Sequence, residues 1–229
     1  VTRRNQVSGV LLTAGASSRM GECKPLLPWG EVTLIEAVTA ELLRVEFCEL
    51  VVVLGREAER VAALLEQMDD ARITIARNRD YARGVASSLQ AGLAACSPTS
   101  EAAAVLLADQ PTLGHALVER VIAGWAAGGR EAARPVYAGR QGEVVPGHPV
   151  LLGRSLWPAV KGLSGEQGAR ELFAADPGLL LEIKITGPGP VDLDSPEDYQ
   201  RALADMIDAG DLKTDDLKTT GLEKEPRMG

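Results

Sequence analysis

The chain has 229 residues, of which 45% are hydrophobic, 24% charged and only 3% aromatic, with a formal net charge of −8. The apolar share excludes general disorder and supplies a core for one sizeable α/β domain or two small ones. An acidic chain this poor in aromatics lacks both the positive field and the stacking platforms of nucleic-acid binders, so an anionic ligand must meet a local basic site and a cation.

Val7 to Thr13 is a β-rich run ending at Ala14-Gly15, a strand followed by a turn. Leu34 to Val45 has helical spacing, and Leu50 to Leu54 is the unbroken apolar run of a strand buried on both faces. Glu57 to Met68 is an amphipathic helix, Arg72 to Ala76 a strand, and Ser87 to Ala95 a helix that Ser87 or Ser88 caps. Ala102 to Leu107 is a second buried strand, ending at Asp109-Gln110-Pro111, and Leu113 to Ala127 is a helix closed by Gly128-Gly129. Pro135 to Leu152 reads as two strands, the second broken by Gly147-His148-Pro149. Ser164 to Ala174 reads as a capped helix, Leu179 to Ile185 as a strand, and Ser195-Pro196-Glu197-Asp198 opens a last helix through about Ile207. The expected organisation is one domain over residues 1–207 and a charged, disordered tail over 208–229, where Asp-Leu-Lys-Thr occurs twice.

Alternating strands and helices predict a mostly parallel sheet, with ligands beyond the carboxyl ends of the strands. No apolar run approaches the roughly 20 residues that cross a bilayer, and the basic start does not read as a signal peptide. Cys23, Cys48 and Cys96 form no CxxC pair, which points away from zinc and disulfides and towards a cytoplasmic protein with packing or bystander thiols.

The string Thr13-Ala14-Gly15-Ala16-Ser17-Ser18-Arg19-Met20-Gly21-Glu22-Cys23-Lys24-Pro25 follows the first strand directly. Small residues let backbone N–H groups approach phosphate oxygens, and Arg19 and Lys24 supply positive charge. It is not a Walker A loop, because proline follows Lys24, nor a dinucleotide fingerprint, because Ser17 stands where the middle glycine belongs. Asp109 at a strand end suits Mg²⁺, but an Asx turn before Pro111 explains an aspartate equally well. Asp192 and Asp194 alternate along an extended segment, so only one is expected to reach a metal. His115 at a helix start reads as a surface residue.

The loop resembles the signature of the MobA-like NTP transferases, and more narrowly of molybdenum cofactor cytidylyltransferases. The resemblance runs from about Val7 to Leu203. It includes Asn78 to Leu93, Leu106-Leu107-Ala108-Asp109-Gln110-Pro111, Gly147-His148-Pro149-Val150, Leu163 to Arg170 and Val191 to Asp198. It implies a single Rossmann-like three-layer α/β domain with a mostly parallel sheet, of the nucleotide-diphospho-sugar transferase type. It also implies transfer of CMP from CTP to the terminal phosphate of molybdopterin, with release of pyrophosphate.

The resemblance places Thr13, Ala14, Gly15, Ser17, Arg19, Gly21, Lys24, Gly84, Ser88 and Asp109 around the nucleotide. Lys24, Arg19 and Asp109 are the catalytic set, and Asp109 and Asp194 the Mg²⁺ ligands. His148, Ser164 and Gly165 face the acceptor, with the helix expected from Ser164 offering its N–H groups to the acceptor phosphate. CTP, a molybdopterin-type acceptor, and a molybdoenzyme or its chaperone are the implied partners; nucleic acid and membrane are not. Two alternatives remain at this level: the same fold using GTP or a sugar-like phosphate acceptor, and a non-catalytic carrier of the finished cofactor.

Overall fold

The computed structural model describes residues 6–13, 23–139 and 142–208. Ala14, Gly15, Ser17, Arg19 and Gly21 of the expected phosphate loop, and the expected tail from residue 209, lie outside the described residues.

In chain order, β1 (Val7–Leu12) is followed by a small hairpin of β2 (Pro28–Trp29) and β3 (Val32–Thr33), then α1 (Leu34–Leu42), β4 (Glu49–Leu54), α2 (Ala58–Gln67), β5 (Ile73–Arg77) and α3 (Val85–Ala95). Next come β6 (Ala102–Leu107), α4 (His115–Gly128), β7 (Ala132–Ala138), β8 (Val144–Pro146) and β9 (Val150–Gly153). The described chain ends with α5 (Trp157–Val160), α6 (Arg170–Ala175), β10 (Leu180–Lys184) and α7 (Pro196–Asp208). No helix among the described residues is long and apolar enough to cross a membrane.

The main sheet runs β10-β7-β9-β6-β1-β4-β5, with β8 paired to β7. β1 pairs in parallel with β4 and β6, β4 with β5, and β7 with β10, whereas β9 is antiparallel to both β6 and β7. β8 and β9 are two pieces of one path, paired to β7 at Val136–Ala138 and at Ala132–Ala133. The interruption between them is Gly147-His148-Pro149, where the His148–Pro149 peptide is cis. That break carries His148 to the end of β9 beside Val150, which pairs with Val105 near the carboxyl end of β6.

The apolar pattern splits the core into two layers. Along β4, Leu50, Val52 and Leu54 face one side, with Leu42 of α1, Leu65 of α2, Trp125 of α4 and Leu203 of α7. Val51 and Val53 face the other, with Leu89 of α3, Val160 of α5 and Phe173 of α6. This period of two in a strand apolar at almost every position is what a sheet covered on both faces requires. Gly92 lets α3 lie close to the sheet: a Cβ there would stand 2.4 Å from Val10 Cγ1.

The helix expected from Ser164 is shorter than its sequence pattern suggests. Only Arg170–Ala175 is helical. Gly165 sits at φ 58°, in the left-handed region, and Ser164 to Gly168 form a turn in which Gln167 Oε1 accepts from the Ser164 backbone N–H. No helix N-terminus therefore exists at Ser164, and Ser164 and Gly165 are loop residues.

Candidate active site

β1 is the first strand of the sheet in the chain, yet it lies in the middle, with β4 on one side and β6 on the other. The chain thus winds outwards through β4 and β5, then returns to the opposite flank. The crevice beyond the carboxyl ends of β1 and β6 is where such sheets bind ligands. Thr13 follows β1 directly there, its Oγ1 donating to the Val53 carbonyl at 2.7 Å and so tying the end of β1 to β4. Asp109 stands two residues beyond β6 on the same edge.

Lys24 opens a single 3-10 turn, Lys24–Leu26, anchored by the buried Pro25. Its Nζ donates to Asp109 Oδ2 at 3.2 Å and to Asp194 Oδ1 at 3.1 Å. The Lys24 side chain is 16% exposed, that of Asp109 29% and that of Asp194 64%. Burial pushes the Asp109 carboxyl above its ordinary value; the Lys24 ammonium opposes this, and the Asp192 and Asp194 carboxylates reinforce it.

The segment carrying Asp194 is fixed from both ends. Leu193 is fully buried, and its N–H donates to the Asp109 carbonyl at 2.9 Å. Behind Asp194, Ser195 and Asp198 exchange bonds at the start of α7, with Asp198 N donating to Ser195 Oγ and Ser195 Oγ to Asp198 Oδ2. The cap belongs to Ser195, which leaves Asp194 for the crevice. Asp192 turns the other way and accepts from Gln110 Nε2 at 2.6 Å. Gln110 is buried, and its Oε1 finds no donor among the described residues.

Two carboxylates converging on one point, one of them well exposed, form the donor set of a hard divalent cation that keeps water and takes phosphate oxygens as further ligands. Among the described residues no group of three or more His, Cys, Asp or Glu side chains is placed to hold a metal. A cation here would rest on Asp109 and Asp194 and on its substrate. The residues present fit that group.

Beside this pair lies a cavity of about 330 Å³ lined by Leu12, Leu89, Leu107, His148, Arg170 and Phe173, among others. Burial, opposed in part by the Asp109 carboxylate, lowers the His148 pKa to about 4. The ring is therefore neutral near pH 7, and it lines the cavity without adding charge.

This carries a pH consequence. Unfolded, His148 takes up a proton near its ordinary value of about 6.5; folded, it does so only near 4. Between those values the unfolded state binds more protons, so stability falls as pH falls, by up to about 1.4 kcal/mol per pH unit. His148→Gln is expected to remove this part of the slope between pH 6.5 and 4 in metal-free protein, as read by urea unfolding at stepped pH. An unchanged slope would return the pH dependence to other groups.

Gly84 is the N-cap of α3 at φ 102°, and a Cβ there would stand 2.3 Å from the Gly165 carbonyl. The Ala86 N–H donates to that same carbonyl at 3.1 Å. The two glycines expected at nucleotide and acceptor are thus packed against one another. Ser88 corrects the expectation of a helix cap. It is 1% exposed, and its hydroxyl accepts from Asn78 Nδ2 at 3.0 Å. The helix begins at Val85, so Ser88 falls on the face carrying Leu89 and Gly92. Ser87 bonds instead to the Gly84 and Asp80 carbonyls.

His115 is also corrected. It is half-buried, and both its backbone N–H and its Nδ1 meet Glu41 Oε1, at 2.8 and 2.7 Å. Burial pushes the Glu41 carboxyl up, but the bonds from His115 and Arg44 outweigh it and hold it below its ordinary value. Burial raises both the Cys23 and Cys96 thiols, Cys96 to about 12, so neither is poised as a nucleophile. Gln110, Asn78, Arg170 and Phe173 are the residues to which sequence reasoning gave no role of their own. The amide in Asp109-Gln110-Pro111 was the one readable signal, since a glutamine between a candidate ligand and a proline must find a partner if buried.

Comparison with known proteins gives this geometry a family. Residues 9–179 match the MobA-like NTP transferase domain. The chain is 36% identical over 202 residues to nicotine blue oxidoreductase of Paenarthrobacter nicotinovorans, covering 86% of this chain and 96% of that one. It is 30% identical over 150 residues to the molybdenum cofactor cytidylyltransferase of Escherichia coli, covering 63% and 69%. The structure of Rv0371C from Mycobacterium tuberculosis in complex with manganese superposes with a TM-score of 0.70 at 27% identity, covering 87% of this chain and 98% of that one. A match that runs from β1 to the threshold of β10 takes in the switch point and Asp109, and the chain belongs to the MobA-like NTP transferase family.

Proposed function

We propose that this protein transfers CMP from CTP to the terminal phosphate of a molybdopterin-type acceptor, releasing pyrophosphate, with Mg²⁺ held by Asp109 and Asp194. The observation that carries the transfer is the convergence of Lys24, Asp109 and Asp194 on one point at the switch of the sheet. The cytidylyltransferase among the relatives supports the choice of nucleotide and acceptor. The manganese complex of Rv0371C supports a divalent ion.

An acceptor phosphate monoester is already largely ionised near neutral pH, so the attack requires no general base. The difficulty is that an anion approaches an anion. A bound divalent ion supplies charge neutralisation and a template for the phosphate oxygens. Lys24 brings a mobile ammonium to the α-phosphate and the leaving group, and Arg19 adds a fork for phosphate. Asp109 and Asp194 fix where positive charge gathers, and the His148 cavity gives the acceptor a seat that is apolar over most of its lining and carries charge at Arg134, Glu166 and Arg170. Catalysis on this reading is positioning plus charge.

A second reading rests on nicotine blue oxidoreductase, the relative with greater identity and coverage. It keeps the scaffold and changes the chemistry to electron transfer. One panel separates the two. Pyrophosphate release from CTP, GTP, ATP and UTP with a molybdopterin acceptor and Mg²⁺ is expected to show CTP preferred. Preference for GTP moves the nucleotide assignment. No release with any nucleotide, alongside redox conversion of nicotine blue by the protein, would favour the second reading.

A further inference from the structure

We propose that Lys24 is the resident cation of the Asp109–Asp194 pair in the nucleotide-free protein, and that binding of a nucleoside triphosphate vacates this place for a divalent ion. The proposal rests on the nucleotide reading above and adds an order to it.

The geometry sets the conflict. The Lys24 ammonium lies 3.2 Å from one carboxylate and 3.1 Å from the other. A divalent ion bridging the same two oxygens, at about 2.0 to 2.6 Å from each, would stand where the ammonium stands or hard against it. Two cations cannot share that point, because like charges so close in a partly desolvated crevice repel strongly. One must leave, and the lysine is the one built to move.

Its backbone is held. Leu26 N donates to the Cys23 carbonyl and Leu27 N to the Lys24 carbonyl, with buried Pro25 between them. Its side chain is a four-carbon stem ending in three rotatable donors. Displacement is then a change of rotamer with the fold left in place. What the lysine needs is another anion, and a triphosphate arriving beyond β1 supplies one within reach of the same stem. In the free protein the lysine has the opposite use: it stops Asp109, whose carboxyl burial already penalises, from facing Asp194 without a counter-charge.

Linkage makes this quantitative. If the nucleotide draws the ammonium away from the carboxylates, nucleotide and metal each tighten the binding of the other by one common factor. For a direct exchange of charge at one point, a factor of at least about tenfold is expected, within the usual range of about 5- to 150-fold. A cell's free divalent ions would then leave the empty site largely alone, and the metal would enter with its substrate.

The test uses the full chain and Mn²⁺ as the probe, with free Mn²⁺ counted by electron paramagnetic resonance. α,β-Methylene CTP, which cannot lose pyrophosphate, is added or withheld, and protein-free controls correct for metal held by the analogue. Wild-type protein is expected to bind Mn²⁺ at least about tenfold more tightly with the analogue than without it. Lys24→Gln is expected to bind Mn²⁺ alone at least about tenfold more tightly than wild type and to lose most of the gain from the analogue. Lys24→Arg keeps a cation near the pair and should retain the weak nucleotide-free binding. Unchanged or weaker Mn²⁺ binding by folded Lys24→Gln overturns the exchange, even if pyrophosphate release shows the functional reading correct. Tighter Mn²⁺ binding in Lys24→Gln, with no pyrophosphate released by wild type from any nucleotide, sinks the functional reading and keeps the displacement of lysine by metal.

Discussion

Lys24→Ala is expected to lower turnover by about 100-fold or more, with kcat and kcat/KM falling together. The ammonium that bridges Asp109 and Asp194 in the free protein is the charge proposed to meet the α-phosphate as negative charge redistributes towards pyrophosphate. A group used in the transition state costs turnover when it is removed, whereas one that only holds the ground state raises KM. Steady-state pyrophosphate release at saturating CTP separates the two. Near wild-type kcat in this variant would remove Lys24 from the chemistry. The same substitution should tighten nucleotide-free metal binding, so affinity for the ion and rate move in opposite directions. A merely structural lysine would move neither in that pattern.

Asp109→Asn is expected to abolish metal-dependent turnover, a fall of roughly three orders of magnitude, corresponding to the several kcal/mol of charge stabilisation a cation supplies. Asparagine keeps the size of the side chain and an oxygen for Lys24 to bond. It leaves untouched the backbone bond from Leu193 N to the residue 109 carbonyl. Burial already disfavours the charged carboxylate, so the neutral amide should cost little stability. The melting temperature should stay within a few degrees of wild type while titration with Mg²⁺ no longer raises the rate. A variant that still responds to Mg²⁺ would place the cation elsewhere.

Much of this was legible in the sequence, and what was not has physical reasons. The unbroken apolar run of β4 announced a strand covered on both faces. Asp109 was placed by its distance from the buried strand Ala102–Leu107. The Gly147-His148-Pro149 break was visible because proline and glycine interrupt ladders locally. Ser88 is not a cap because the helix begins two residues earlier than the serine pair suggests, and that phase turns residue 88 inwards. The helix expected from Ser164 begins only at Arg170, because Gly165 takes a left-handed conformation and its carbonyl is spent on Ala86. Gln110 against Asp192, and Glu41 against His115, are contacts across 82 and 74 residues. Local pattern carries no information about such distances. Lys24 between its two aspartates is of the same kind: each residue was named from its own surroundings, but only the fold puts three charges on one point.

That point is assembled from parts 85 and 170 residues apart in the chain. Its last component arrives with Leu193, seated in the core and bonded to the Asp109 backbone. Contacts of such long range close late, because the entropy of the intervening loop must be lost before the contact returns anything. During synthesis, β1 to β6 emerge and can pair before the segment at Asp194 exists. A nascent chain at that stage has a sheet, a lysine and one carboxylate, but no second anion to compete for the ammonium. The three-charge point is therefore expected to be among the last features to assemble, and a polypeptide stopped short of Val191 would lack both its second carboxylate and the core side chains Leu193, Tyr199, Ala202 and Leu203.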